Sequence, residues 1–403
     1  MPNVDRQPKG LTRRDFLKVA GVATAGALLS DIGRRVVLAN HELQEFQPIR
    51  CEIPPGTGFY APAASPDGQK VIATIYGNGH WYGFGELNLV TRTFRHVSQI
   101  GKDPVYTPDG NGYLGENSNN RNIIFITTNG IPTLFAENAQ FPEVVGNDVS
   151  YLQINPNSLQ ELVILKNPDF QKLGNDVSEL AAKLEAELGE NPRQILAAIA
   201  QGSEDLLNRL KQKLPDVDLS NLELPNLNLR DIVPDRIEEL VGVRKVLTLP
   251  EDIGTIRFYD WRADGAFVAI SSIDSTGQDQ IRILDSKGKD HGSLFVNNNN
   301  INMSYPAWSP SGNRFAYVAT PTDADETWNT IILKDGKFEH EVPQTHDPVW
   351  LTNDILIGKT PDNDLVRVEV TRTGFQKGQL TQRDFVEPTP EGPGITAEEL
   401  FSN

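Results

Sequence analysis

A four-residue turn returns along this chain at near-constant spacing, and nothing else in the sequence constrains the fold as tightly. It reads Ser65-Pro66-Asp67-Gly68, Thr107-Pro108-Asp109-Gly110, Asn155-Pro156-Asn157-Ser158, Arg262-Ala263-Asp264-Gly265 and Ser309-Pro310-Ser311-Gly312, with a degenerate copy at Leu351-Thr352-Asn353-Asp354. The third positions fall at 67, 109, 157, 264, 311 and 353, so the intervals are 42, 48, 107, 47 and 42. All but the long interval match the length of a four-stranded supersecondary unit. Three residues before the reference position stand Ala64, Tyr106, Ile154, Trp261, Trp308 and Trp350; five before it stand Pro62, Pro104, Leu152, Tyr259, Pro306 and Pro348.

Asp or Asn before Gly supplies a tight turn with positive φ. The aromatic ahead of it is expected on an inner strand, packed between neighbouring units. Short apolar strands follow each turn, among them Val71–Ile75, Glu161–Leu165, Phe267–Ile270 and Phe315–Val318. In the second repeat the nearest strand is the weaker Gly112–Leu114, and Ile123–Ile126 comes next. Period-two segments such as Ile281–Leu284 and Leu365–Val370 supply third strands, and segments such as Phe94–Val97 and Phe338–Val342 supply fourth ones. Such units cannot bury their faces alone, so the copies must close into a ring. The reading is all-β: one six-bladed β-propeller over residues 40–382, with a tail at 383–403. The repeat resembles that of TolB-like proteins, a six-bladed periplasmic class, over about residues 45–382. The resemblance implies the fold more than a role, because this repeat serves binding platforms, lyases and peptidase lids.

At the N-terminus, Thr12-Arg13-Arg14-Asp15-Phe16-Leu17-Lys18 resembles the twin-arginine export motif, and an apolar Val19–Ser30 segment follows. That segment is too short to span a bilayer as a mature helix. Small residues at Val37 and Ala39 suggest cleavage after Ala39, making 1–39 a signal peptide acting through Arg13 and Arg14. These 39 residues carry seven Lys/Arg and three Asp/Glu, so their removal takes the net charge from −17 to −21. Such an acidic surface disfavours nucleic acid and anionic lipid and favours solubility or cation binding. Cys51 is the single cysteine, which excludes an intrachain disulfide; it is expected to be a buried strand residue.

The long interval holds an insertion, Lys166–Gly242, with helices expected at Val177–Leu188 and Pro192–Leu214. With Glu161–Leu165 taken as the second strand of blade 3, the insertion leaves by the second-to-third-strand loop. That places it beside Gly77–Gly85 and opposite the Asp-Gly turns. It covers a mouth, docks a partner, or packs as decoration.

The segment Gly77-Asn78-Gly79-His80-Trp81-Tyr82-Gly83-Phe84-Gly85 holds four glycines, three aromatics and a His if read as a loop. Glycine lets backbone approach a ligand, and the rings offer flat contact area. His80, Trp81, Tyr82 and Phe84 are therefore candidate contact residues. On the same face the topology places Arg121, Trp328, His346, Asp347 and Asp103, with Asn119, Asn120, Asp274, Asp279, Asp323, Asp325 and 297–300. No cofactor is identified. Calcium or another divalent metal stays open, through the acidic turns at 274–279 and 322–326 or a shared site at His80 and His346, although neither acidic turn matches a twelve-residue calcium loop and no two His fall at ligand spacing. There is no Gly-x-Ser-x-Gly, phosphate loop or dinucleotide fingerprint. Two functions follow: an exported, non-enzymatic, monomeric propeller binding an envelope protein or glycan, or an exported lyase or hydrolase working at the channel mouth.

Overall fold

The computed structural model describes residues 47–117, 121–154, 160–188, 244–247, 249–250, 252–274, 277, 279–293, 301–321 and 328–385. Six four-stranded antiparallel sheets, each built from consecutive strands, form the blades of a propeller. Blade 1 comprises Thr57–Ala64, Lys70–Gly77, His80–Asn88 and Thr93–Ser98; blade 2 comprises Lys102–Tyr106, Gly112–Glu116, Ile123–Thr127 and Pro132–Ala136. Blade 3 comprises Ala139–Val145, Asp148–Ile154, Gln160–Leu165 and Arg244–Leu247; blade 4 comprises Thr255–Trp261, Phe267–Ile273, Asp279–Asp285 and Asp290–Ser293. Blade 5 comprises Ile301–Trp308, Arg314–Pro321, Asn329–Lys334 and Lys337–Pro343; blade 6 comprises His346–Trp350, Ile355–Lys359, Leu365–Val370 and Phe375–Gln379. Each inner strand packs against the inner strands of both neighbours, blade 6 against blade 1 included, so the ring is closed.

The recurring turn joins inner and second strands in blades 1, 2, 4, 5 and 6. In blade 1, Asp67 Oδ1 accepts the Ser65 hydroxyl at 2.6 Å and the Gln69 N–H at 3.0 Å. Asp109 and Asp264 accept the corresponding N–H groups of Asn111 and Ala266. The following glycines, Gly68, Gly110, Gly265 and Gly312, all have φ between 66° and 71°, where a side chain would be strained. Trp261, Trp308 and Trp350 share one slot at 4%, 6% and 5% exposure, each packed against the preceding blade. The Trp261 indole N–H reaches Ser150 Oγ of blade 3 at 3.1 Å, and that of Trp350 reaches the Ala307 carbonyl of blade 5 at 3.2 Å. Tyr106 fills the slot between blades 1 and 2, and its hydroxyl bonds the buried Glu86, which also accepts Tyr113 and pairs with Arg95.

Blade 3 corrects the repeat register. Residues 155–158 fall between its second and third strands, and the inner turn is the two-residue Gly146-Asn147, which lacks the Ser-Pro-Asp-Gly side chains. Read from Asn147, the five-before column gains Pro142 in place of Leu152. The insertion therefore leaves after the third strand, between Leu165 and Arg244. Successive antiparallel strands turn at alternate faces, so a third-to-fourth connection shares the face of the Asp-Gly turns. The expectation that the insertion stands beside Gly77–Gly85 is overturned. Its first part is a helix, Phe170–Leu188, beginning seven residues earlier than expected, and Asp169 Oδ1 caps it by accepting the Lys172 N–H at 2.9 Å. Phe170, Leu173, Val177 and Ala181 form its buried stripe, and Phe170 stacks on Phe125 and Phe135 of blade 2. The second expected helix, 192–214, lies outside the described residues, as do the signal residues Arg13 and Arg14.

The ring is sealed by its ends. Ile49–Ile53 pairs in parallel with Thr381–Phe385, past the expected propeller end at 382. Ile49, Cys51 and Ile53 are buried in a cluster holding Phe59 and Leu87 of blade 1 with Ile357 and Leu365 of blade 6. Burial pushes the Cys51 thiol up to about 12, so it is an inert core residue. Among the described residues no helix is long and apolar enough to cross a membrane.

Candidate functional site

One face carries the second-to-third-strand turns and the blade-to-blade links, and the inner strands begin there. Every inner strand is bulged near this end. Six residues before the turn reference stand Ala61, Asp103, Phe141, Phe258, Tyr305 and Asp347. Five of these have left-handed φ of 44° to 52°, and those five precede Pro62, Pro104, Pro142, Pro306 and Pro348. The exception is Phe258, which precedes Tyr259 rather than proline. A left-handed non-glycine residue costs on the order of 1 kcal/mol, so the bulge is held by its surroundings. Its effect is to break the alternation of the inner strand beside the ring axis.

These slots split the mouth into two halves. Blades 3, 4 and 5 contribute an aromatic side: Phe141 lies 5.8 Å from Phe258, which stacks on Tyr305 at 3.8 Å. Tyr305 meets His346 at 4.4 Å, and His346 meets Trp328 at 5.0 Å. The Lys359 ammonium lies 6.0 Å from the Trp328 ring and 3.9 Å over Tyr60, whose ring continues to Tyr76 and then Trp81. The aromatic arc therefore runs through blades 3, 4, 5, 6 and 1.

Charge gathers at blades 6, 1 and 2. Lys102 covers Trp81 and bridges Glu116 Oε1 at 2.9 Å and Asp103 at 3.6 Å. Asp347 pairs with Lys359 at 3.7 Å, contacts the His346 ring and accepts the Ala61 N–H at 3.3 Å. Burial opposes the charge on Asp347, but His346 and Lys359 hold its carboxyl at about 2. Burial acts the other way on Asp103. Lys102 does not offset it, Glu116 and Asp347 add repulsion, and the carboxyl rises to about 6. Further along the inner strands, burial and mutual repulsion raise Glu143 far above the usual range. Burial lifts Asp260 to about 7, although the Trp308 N–H donates to it. Asp103, Glu143 and Asp260 are enclosed by protein yet still touch solvent.

Of the residues expected from sequence, Trp81, Trp328, His346, Asp347 and Asp103 converge on this mouth. His80 is exposed at the tip of the Asn78-Gly79 hairpin, and Arg121 is exposed on blade 2. Tyr82 and Phe84 do not join them. Residues 80–88 form a strand whose pairing slips where Thr74 and Tyr76 face Phe84 and Trp81, with Gly83 at a φ of 78° between them. Two residues that regular alternation would place on one face therefore part: Tyr82 packs toward the sealing strands, and Phe84 is fully buried between blades 1 and 2. The glycines there serve the sheet; a Cβ on Gly83 would lie 1.9 Å from the Ser98 carbonyl oxygen of the adjacent strand. Asn119, Asn120, Asp323, Asp325 and 297–300 lie outside the described residues. Among the described residues no cluster of His, Cys, Asp or Glu is arranged to hold a metal ion. Sequence reasoning missed Tyr60, Phe141, Phe258, Tyr305 and Lys359. For Phe141 and Tyr305 the residue before the column proline was the available signal, hidden for Phe141 by the misread register of blade 3; Tyr60, Phe258 and Lys359 carry no such mark.

A family model described as the twin-arginine translocation pathway signal sequence matches residues 10–30. The chain is exported by that pathway. No curated protein matches the sequence. Among solved structures, putative TolB from Agrobacterium tumefaciens is similar at 16% identity and a TM-score of 0.41, covering 71% of this chain and 79% of that one. TolB from Acinetobacter baumannii matches at 14% and 0.42, covering 71% and 54%. Oligogalacturonate lyase from Vibrio parahaemolyticus matches at 10% and 0.42, covering 79% and 77%. At such identities and TM-scores, what those proteins bind or do is theirs and does not carry over; the propeller assignment stands on the strand pairing.

Proposed function

We propose that this exported propeller binds a protein or glycan partner in the periplasm or cell envelope, without catalysis, through the aromatic mouth of its ring. The observation that carries this reading is the arc from Phe141 through Phe258, Tyr305, His346 and Trp328. Rings in contact on separate blades make a broad, stiff surface that loses little entropy on binding. The slot presents three of these side chains, two of them, Phe141 and Tyr305, on strained left-handed backbone, which fits a surface kept for contact rather than for folding. Domains 1–39 and 40–382 take the roles of signal and binding ring, and the helix Phe170–Leu188 of the insertion 166–242 follows a strand end on the opposite face.

A second reading, an exported lyase or hydrolase, is favoured by one observation: Glu143 and Asp260 are adjacent carboxyls whose burial raises both well above the usual carboxylate range, Asp260 to about 7. A photo-crosslinking residue at Trp328 tests the binding reading in intact cells. Discrete adducts from Trp328, and none from a probe at Asp109 on the other face, are expected. Adducts from Asp109 alone would defeat it. Retained adducts in a Glu143→Gln variant would separate binding from the enzymatic reading.

A further inference from the structure

We infer that the mouth takes a positively charged segment of its partner, an extended peptide presenting a guanidinium or ammonium group to the gap between Asp103, Glu116 and Asp347, with its stem on Tyr305 and Phe258. This rests on the binding reading above and adds the chemistry of the occupant.

Charge complementarity is the first argument. Six carboxyl side chains belong to this end of the ring: Asp103, Glu116, Glu143, Asp260, Asp279 and Asp347. The cations set among them are Lys102, Arg257 and Lys359. The Glu143–Asp260 pair has no lysine or arginine partner among the described residues. Even with the Glu143–Asp260 pair set aside, because burial disfavours its charged forms, the four acids Asp103, Glu116, Asp279 and Asp347 outnumber the three fixed cations in a space whose low polarisability makes imbalance costly.

A second observation is independent of that count. The Glu116 side chain is 2% exposed. Its Oε1 accepts Lys102 and the Gln140 amide at 3.0 Å, whereas Oε2 is buried without a hydrogen-bond partner. An acceptor left bare beside Asp103 is unfavourable, and a donor arriving with a ligand satisfies it. Ala61 supplies the third argument. It holds the slot between those of Asp103 and Asp347 with a methyl group where the facing blades hold rings, so no ring stands in the slot between the two acids. The aromatic faces opposite attract a cation's stem.

Asp103 faces Lys102 and Glu116 of its own blade, Asp347 of blade 6 and Tyr305 of blade 5. Its carboxyl, raised to about 6, is partly protonated near that pH. A bound cation favours the charged form, so binding at pH 6 releases a proton.

Calorimetry of the mature, signal-free protein with tetra-arginine amide tests this. One site is expected, with heat that varies with the buffer's ionisation enthalpy at pH 6 and not at pH 8. Asp103→Asn and Glu116→Gln should each weaken binding about tenfold. Tyr305→Phe should leave it unchanged, and Tyr305→Leu should weaken it severalfold. Asp109→Asn with Asp335→Asn, away from the mouth, should have no effect beyond a small salt-like change. Equal affinity in the Asp103→Asn variant, provided it unfolds cooperatively at a temperature no lower than wild type, would overturn the inference and assign the peptide to general surface charge. Maltohexaose bound at the mouth, lost in Tyr305→Leu and indifferent to Asp103→Asn, would also overturn it while leaving the binding reading standing. Absence of any tetra-arginine binding refutes the cationic occupant, whatever the Trp328 crosslinks show.

Discussion

Individual carboxyls divide into those that hold the ring and those that work against it. Glu86 belongs to the first kind. Burial opposes its charge, but Arg95, Tyr113 and Lys70 hold its carboxyl below the usual range. Its contribution is present above the unfolded carboxylate pKa and is lost as pH falls through the lower folded value. Glu86→Gln should cost about 2 kcal/mol at pH 7, measured by denaturant unfolding, and the deficit should shrink below pH 4. Asp103 belongs to the second kind. Because its folded pKa, about 6, lies above the ordinary 3.8, the fold disfavours its ionised form. Stability from this group is full below 3.8 and is lost as pH rises through about 6. Asp103→Asn should therefore raise the melting temperature above pH 6 and change it little below pH 4, while weakening ligand binding. A residue whose removal stabilises the fold and weakens binding is retained for function. Neither role was legible in the sequence: Glu86 sits in an ordinary strand, and Asp103 looked like one polar loop residue among many.

At the scale of elements, what could be read was what repeats. The recurring turn marked the inner strands of blades 1, 2, 4, 5 and 6, with an aromatic three residues earlier in all of these but blade 1, because those positions answer to local backbone demands. Blade 3 misled because Asn155-Pro156-Asn157 has the composition of the motif in a different link, while the inner turn Gly146-Asn147 closes without it. Its proline, Pro142, kept the phase. The same error moved the helix Phe170–Leu188 to the wrong face. The Trp slot gives a direct check: Trp261→Ala, Trp308→Ala and Trp350→Ala should each cost about 3–5 kcal/mol, because each leaves a comparable void between blades. Unequal losses, with one near zero, would show that the slots are not equivalent. The aromatic arc was not legible as a unit, since its members come from five blades and meet only when the ring closes.

For the whole molecule, closure depends on both ends of the propeller, Ile49–Ile53 and Thr381–Phe385. The parallel pair Ile49–Ile53 with Thr381–Phe385 cannot form until synthesis has passed residue 385. A chain truncated at residue 380 should lose cooperative unfolding and become sensitive to protease in the first and last blades, read by limited proteolysis. Intact, cooperative behaviour would mean that the pair is ornamental. That dependence suits a route which exports folded proteins, and the match at residues 10–30 assigns this chain to it. The central claim, that the aromatic mouth is the contact surface, can be read from the five tryptophans themselves. Three lie in the blade slots, and Trp81 and Trp328 lie at the mouth. With 5-fluorotryptophan in place of all five, fluorine resonances of the mature protein should be followed as a fractionated envelope extract is added. The account predicts that the Trp81 and Trp328 signals shift or broaden while those of Trp261, Trp308 and Trp350 hold. Five unmoved signals, in an extract that demonstrably retains the protein, would contradict it.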